Sequence, residues 1–126
     1  MNDEFTGQPL ADLAIMFRDL PVGLCTFDLD FRYIFVNKWL AALNGALAEE
    51  HIGRTIHEVI PDIAANAEVQ LREVVETGKP VIGGEIVAET PLFPGEKRSF
   101  ENTYTAVKDA EDGMIWVNCP TQDVTE

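Results

Sequence analysis

A chain of 126 residues, 46% hydrophobic and 25% charged, has the make-up of a single soluble globular domain with apolar material for one core. Nine basic residues against 22 acidic ones give a formal net charge of −13, a surface that repels phosphate backbones and anionic lipid. The expected partners therefore include neither nucleic acid nor membrane, and the acid, scattered through the chain, reads as solubility.

No apolar run approaches the roughly 20 residues that cross a bilayer. The acidic start, Met1-Asn2-Asp3-Glu4, has no basic n-region or apolar h-region of a signal peptide. Cys25 and Cys119 are far apart and form no CxxC pair, so two reduced thiols in a cytoplasmic protein are expected.

Pro9 to Leu20 reads as a helix, with Leu10, Leu13, Phe17 and Leu20 in one apolar stripe and Pro21 as its stop. The stripe suits the domain's own core or, at coiled-coil spacing, a seam with a second copy. Two strands follow, Leu24 to Asp28 and Tyr33 to Asn37, with Asp28-Leu29-Asp30 at the turn between them. Lys38 to Leu43 reads as a short helix stopped by Asn44-Gly45. Ala46 to Ile60 holds one or two helical turns broken at Gly53. Asp62 to Thr77 is the clearest helix: Ile63, Ala67, Leu71, Val74 and Val75 share a face, and Gly78 caps it before Pro80.

Beyond Pro80 the period changes to two. Val81 to Glu89 is a strand in which Gly83-Gly84 marks a bulge or a close approach. Pro91, Pro94 and Gly95 form a loop. Arg98 to Lys108 follows, with Phe100, Asn102, Tyr104 and Ala106 on one face. Met114 to Cys119 is the last strand, weakened at its end by Pro120. Strands at both ends with helices between them predict an α+β fold with an antiparallel sheet.

Five segments in this order resemble the PAS family. They are Leu20-Pro21-Val22-Gly23, the hairpin Phe27-Asp28-Leu29-Asp30 with Arg32-Tyr33-Ile34-Phe35-Val36-Asn37, and the Gly-centred Ile52-Gly53-Arg54-Thr55 with Glu58-Val59-Ile60-Pro61. Thr77-Gly78-Lys79-Pro80 and the closing Asp123-Val124-Thr125-Glu126 complete the set. The resemblance implies a PAS-like five-stranded antiparallel sheet over 21–126, with helices on one face around a pocket; the amphipathic helix over 1–20 stands before it as the candidate dimerisation element that its stripe suggests. It also implies that the first and last strands are central neighbours, placing Cys25 and Cys119 on adjacent strands as two buried thiols or, less commonly, a redox pair. Asp123 and Thr125 would sit in the segment that passes a signal to an output domain absent from this chain. A histidine kinase, a cyclic-di-nucleotide enzyme and a transcription regulator are the outputs the family implies.

Catalytic patterns are thin. His51 and His57 form no HExxH, Ser99 sits in no G-x-S-x-G elbow, and neither a P-loop nor a G-x-G-x-x-G is present. Asp28-Leu29-Asp30 begins like a calcium loop, but Tyr33 and Trp39 stand where Gly and Glu are needed. Photosensory relatives with a flavin use a Cys in an Asn-Cys-Arg-Phe-Leu-Gln run, and haem relatives an axial His on the long helix. Neither feature is here, so haem and a cysteine-adduct flavin are not expected, and the identity of any cofactor stays open. His57 is expected to be half-exposed.

The expected function is a non-enzymatic sensory domain, dimeric, that binds a small molecule or a partner. Asn102 and Tyr104 on one strand face, Asn118 and Trp116 on the last strand, and Trp39 are the candidate pocket residues. A structural hydrogen bond is the commoner role for each amide. Two alternatives stand beside it. A dimerisation module without ligand would fill its cavity with Phe35, Trp39 and Trp116. A small pocket enzyme of the isomerase or hydratase kind would need a buried acid or base.

Overall fold

The hairpin at Asp28 sets the first corner of the sheet. In the computed structural model, which describes residues 22–125, strands β1 (Val22–Phe27) and β2 (Tyr33–Val36) pair antiparallel. Asp28 Oδ1 accepts from the backbone N–H of Asp30 and of Arg32, both at 2.9 Å, and Phe31 takes the left-handed conformation at φ 64°. The helix expected over 1–20, with Leu10, Leu13, Phe17 and Leu20, lies outside the described residues.

Asn37 joins strand to helix. Its Oδ1 accepts from Leu40 N at 3.1 Å and caps α1 (Lys38–Asn44), while its Nδ2 donates to Val22 O at 3.0 Å. Two short helices follow, α2 (Ala48–His51) and α3 (Ile56–Val59), separated at Gly53 with φ 83°. The chain between them returns to β2: Tyr33 N donates to Arg54 O at 2.9 Å, and Gly53 N to Tyr33 O at 2.8 Å. Those bonds fix the ring of Tyr33 over the inner face of the sheet.

Helix α4 (Pro61–Thr77) begins on Pro61 and ends at Gly78, whose φ of 70° allows its N–H to reach Val74 O at 2.7 Å. Ala64, Ala67, Leu71 and Val74 form its buried stripe. Burying a Leu or Val side chain fully stabilises a fold by about 1.5–3 kcal/mol, so Leu71 and Val74 are major anchors of helix to sheet.

Three strands close the fold: β3 (Val81–Thr90), β4 (Phe93–Lys108) and β5 (Met114–Asp123). The five-stranded sheet runs β2-β1-β5-β4-β3, every neighbour antiparallel, and the helices pack on one face. First and last strands are thus adjacent at the centre, as the resemblance implied.

Three expectations need correction. The loop after β3 is only Pro91-Leu92, because Thr90 pairs with Phe93 and β4 starts at Phe93 instead of Arg98. Strand β5 runs through Pro120 to Asp123. Pro120 keeps Leu24 as its partner on β1, and the β4–β5 pairing skips from Asn118 to Thr121, so the missing N–H falls where that ladder already pauses. The faces of β5 are also the reverse of those expected: Val117, Cys119 and Thr121 are buried, whereas Trp116 and Asn118 are exposed on the outer face.

Gly83-Gly84 does mark a bulge, between Ile82 and Glu85, and also a close approach. A Cβ on Gly83 would lie 1.8 Å from the backbone oxygen of Asn102, so only glycine lets β3 pass there.

Candidate ligand-binding site

The inner face of the sheet leaves a gap under α1 and α4. The gap is a cavity of about 60 Å³ walled by all five strands: Cys25 and Phe27 of β1, Tyr33 of β2, Cys119 and Thr121 of β5, Phe100, Asn102 and Tyr104 of β4, and Ile86, Ala88 and Thr90 of β3. Leu40, Leu43 and Asn44 of α1, with Ile60, Ile63 and Ala67 at and in α4, form the roof. An outer chamber of about 160 Å³ opens beside it. Leu43, Asn44, Ile60, Ile63, Ala88 and Thr90 line both spaces, and the outer one adds Asp62 and Glu89.

Polar atoms in the inner wall are few and unequally satisfied. Asn102 Oδ1 accepts from Thr121 Oγ1 at 2.7 Å, joining β4 to β5 through their buried side chains. Its amide NH2 makes no hydrogen bond among the described residues, although the side chain is buried against the cavity. Thr90 Oγ1 is buried and has no hydrogen-bond partner among the described residues. An unmade bond of this kind costs about 1–3 kcal/mol, which a guest with the right group would recover.

Behind the wall lies a satisfied cluster. His51, fully buried, has Nδ1 at 2.9 Å from Leu47 O and Nε2 at 3.2 Å from Asn44 Nδ2. The carbonyl needs a donor and the amide NH2 an acceptor, which suits a proton on Nδ1 and a free lone pair on Nε2. Its edge meets the face of Tyr33 at a centroid separation of 5.0 Å. His51 therefore acts as scaffold. His57 is half-exposed and pairs with Glu68 on α4.

Cys25 and Cys119 are directly opposed across β1 and β5, and both are buried free thiols. Cys25 Sγ lies 3.5 Å from Cys119 O. The hydrogen bond between the two side chains, and then burial, push the Cys25 thiol well up. Burial likewise pushes the phenols of Tyr33 and Tyr104 up. Near neutral pH these groups stay protonated, and among the described residues no Asp, Glu, His, Lys or Arg lines the inner cavity.

Of the candidate pocket residues, Asn102 and Tyr104 line this cavity. Trp39 is partly buried and packs on the core without lining it. Trp116 and Asn118 do not reach it either. Trp116 faces outward, and Asn118 Oδ1 accepts from Thr26 Oγ1 at 2.7 Å on the exposed side of the sheet. Phe35 and Trp116 are 48% and 44% exposed, so neither fills the interior. Thr90, Thr121 and Asn44 were not anticipated. Extending the alternation Ile86, Ala88 by two residues reaches Thr90, and extending Val117, Cys119 past Pro120 reaches Thr121.

The closing segment is bound to the start of β4. Asp123, with its side chain 6% exposed, accepts from Arg98 Nε at 2.7 Å and from Thr125 N at 2.9 Å. Thr125 Oγ1 accepts from Ser99 N, and Ser99 O from Val124 N, both at 2.8 Å. Burial would raise the Asp123 carboxyl, but the hydrogen bonds from Thr125 and Arg98 outweigh it and hold the group below its ordinary value. Arg98 also pairs with Glu96 and lies 4.2 Å from the centroid of Phe93.

The family model for the PAS fold matches residues 17–126. No curated protein sequence matches the chain. Among solved structures, the VqmA dimer of Vibrio cholerae is 26% identical with a TM-score of 0.79, over 91% of this chain and 51% of that one. A VqmA–ligand–DNA complex is 26% identical with a TM-score of 0.78, over 90% of this chain and 51% of that one. A sensory box histidine kinase of the same organism shares 16% identity at a TM-score of 0.69, over 100% of this chain and 99% of that one, a likeness of fold alone. The chain thus spans about half the length of the VqmA structures it matches.

The expectation of no nucleic-acid partner, drawn from the net charge, is overturned by the VqmA complex, which contains DNA. Net charge describes the surface of the segment over which it is summed, and a segment spanning half of such a protein says nothing of partners held elsewhere. With the sheet order, the helices on one face and the family match in agreement, this chain belongs to the PAS fold family, a family of sensory signalling modules.

Proposed function

We propose that this domain is the input unit of a signalling protein: a small molecule enters the inner cavity, and the pairing of β4 with β5 carries its presence to the exit at Asp123 to Thr125. The observation that carries this reading is the Asn102–Thr121 hydrogen bond. One side of the Asn102 amide faces the cavity, the other holds β5, and Thr121 stands two residues before Asp123. A guest that accepts from the amide NH2 reorients the group that ties the strands together. Differential affinity for two such arrangements is what a relay requires.

The lining favours binding over catalysis, because its polar groups are amides, hydroxyls, thiols and phenols without a charged acid or base. The VqmA structures, determined with DPO and with DNA, favour a DNA-binding output over the other two downstream candidates. The test is native mass spectrometry and an absorption scan of the purified chain, followed by backbone hydrogen exchange before and after the bound species is removed. A retained small molecule whose loss alters exchange at 120–125 supports the relay. A ligand-free chain that binds nothing offered, or exchange indifferent to occupancy, contradicts it.

A further inference from the structure

The two chambers differ in chemistry in a way that restricts what can occupy them. The inner one is small, neutral and holds two polar groups with bonds to spare, the Asn102 amide NH2 and Thr90 Oγ1. The outer one is larger, and its charged lining residues are both carboxylates, Asp62 and Glu89. Thr90 lines both, as do Asn44 and the apolar Leu43, Ile60, Ile63 and Ala88.

We infer that the joined chambers form one site for a compact, uncharged molecule that carries an amide-like hydrogen-bonding head into the inner chamber and leaves an apolar ring in the outer one. This deepens the sensory reading above and rests on it. Volume sets the shape. About 60 Å³ accommodates a head of a few atoms, and about 160 Å³ a single ring, since a dry cavity of about 150 Å³ takes up benzene. Charge sets the chemistry. An anion meets two carboxylates at the mouth and a chain of net charge −13, then loses its hydration inside with no cation to pair with. A cation is drawn to the mouth, but inside it finds no carboxylate within the lining. A neutral head avoids both penalties and supplies an acceptor for Asn102 and a partner for Thr90.

Three probes of one shape and three charges test this: benzamide, benzoate and benzamidine, titrated into the full 126-residue chain and followed by amide NMR shifts of Ala88, Thr90 and Asn102. Benzamide is expected to bind at least about tenfold more tightly than either charged analogue. Thr90→Val should weaken benzamide about fivefold, and Thr90→Ser, which keeps the hydroxyl, should not. Asp62→Asn combined with Glu89→Gln should narrow the gap between benzamide and benzoate. Equal affinity for benzoate or benzamidine overturns the charge selection while leaving the cavity a ligand site. Unchanged benzamide affinity in Thr90→Val overturns the role of its hydroxyl. If none of the three shifts those amides, this inference falls, whereas the sensory reading falls only if the purified chain also retains no small molecule in native mass spectra.

Discussion

The cavity and the exit segment use the same kinds of polar side chain to opposite ends. At the exit, both carboxylate oxygens of Asp123 are engaged, by Arg98 and by Thr125 N, and the Thr125 hydroxyl is taken by Ser99 N. In the cavity, Thr90 Oγ1 has no partner and the Asn102 amide uses only its oxygen. Thr90 stands at the end of β3, but Asn102 and Asp123 lie on one ladder, β4 against β5, where Asn102 pairs with Thr121 and Phe100 with Asp123. A saturated cluster holds one geometry, while an unsaturated one leaves room for a guest to choose between two. The contrast locates input and output on one piece of sheet.

The most drastic way to break the contrast is to push β3 off Asn102. Gly83→Ala places a methyl where the Asn102 carbonyl already stands, and thermal melts should show a loss of roughly 1–3 kcal/mol or more. At the other pole, Asp123→Ala should lower the melt by about 1–3 kcal/mol, and amide exchange at Ser99, Val124 and Thr125 should speed up by about tenfold. Unchanged local exchange would mean that the exit is held by strand pairing alone.

Thr90→Val sharpens the comparison from the cavity side. A methyl in place of an unpartnered hydroxyl should raise stability by about 1 kcal/mol in denaturant melts, whereas the same change at Thr125 should lower it. The acid limb of stability gives a smaller effect. The Asp123 carboxyl is held below its ordinary value of about 3.9, so its contribution is full above that pH and is lost as the pH falls through the lower, folded-state value. Asp123→Asn should therefore flatten part of the stability loss at acid pH and change nothing in its slope near neutrality. Smallest is the expected labelling of the thiols. With Cys25 and Cys119 buried, and Cys25 held protonated, iodoacetamide at about pH 8 should modify neither in the native chain and both once it is unfolded.

Much of this was legible from residue order. Strands Tyr33 to Asn37 and Arg98 to Lys108 announced themselves by composition and alternation, and the long helix by its stripe and its Gly78 stop, while its start on Pro61 lies one residue before the expected Asp62. Asn102 and Tyr104 fall on the buried face that the alternation assigns them, because the sequence of β4 alternates polar with apolar or aromatic residues and so has contrast. Strand β5 has none. Trp116 and Val117 are both apolar, Asn118 and Cys119 both admit burial, and period-two reasoning cannot choose a face when both alternating sets qualify. Pro120 then seemed to end the strand and hid Thr121. Thr90 was hidden by the prolines beside it, which suggested a wide loop where the chain makes a two-residue turn. Charge misled for another reason: it was summed over this chain alone, and a relative of twice the length is found on DNA.

Hydrogen exchange at the exit with the cavity occupied tests the relay most directly. With benzamide added until the Thr90 and Asn102 amide shifts saturate, the account predicts altered exchange at Ser99, Val124 and Thr125. Saturated shifts in the cavity with unaltered exchange at those three amides would contradict it.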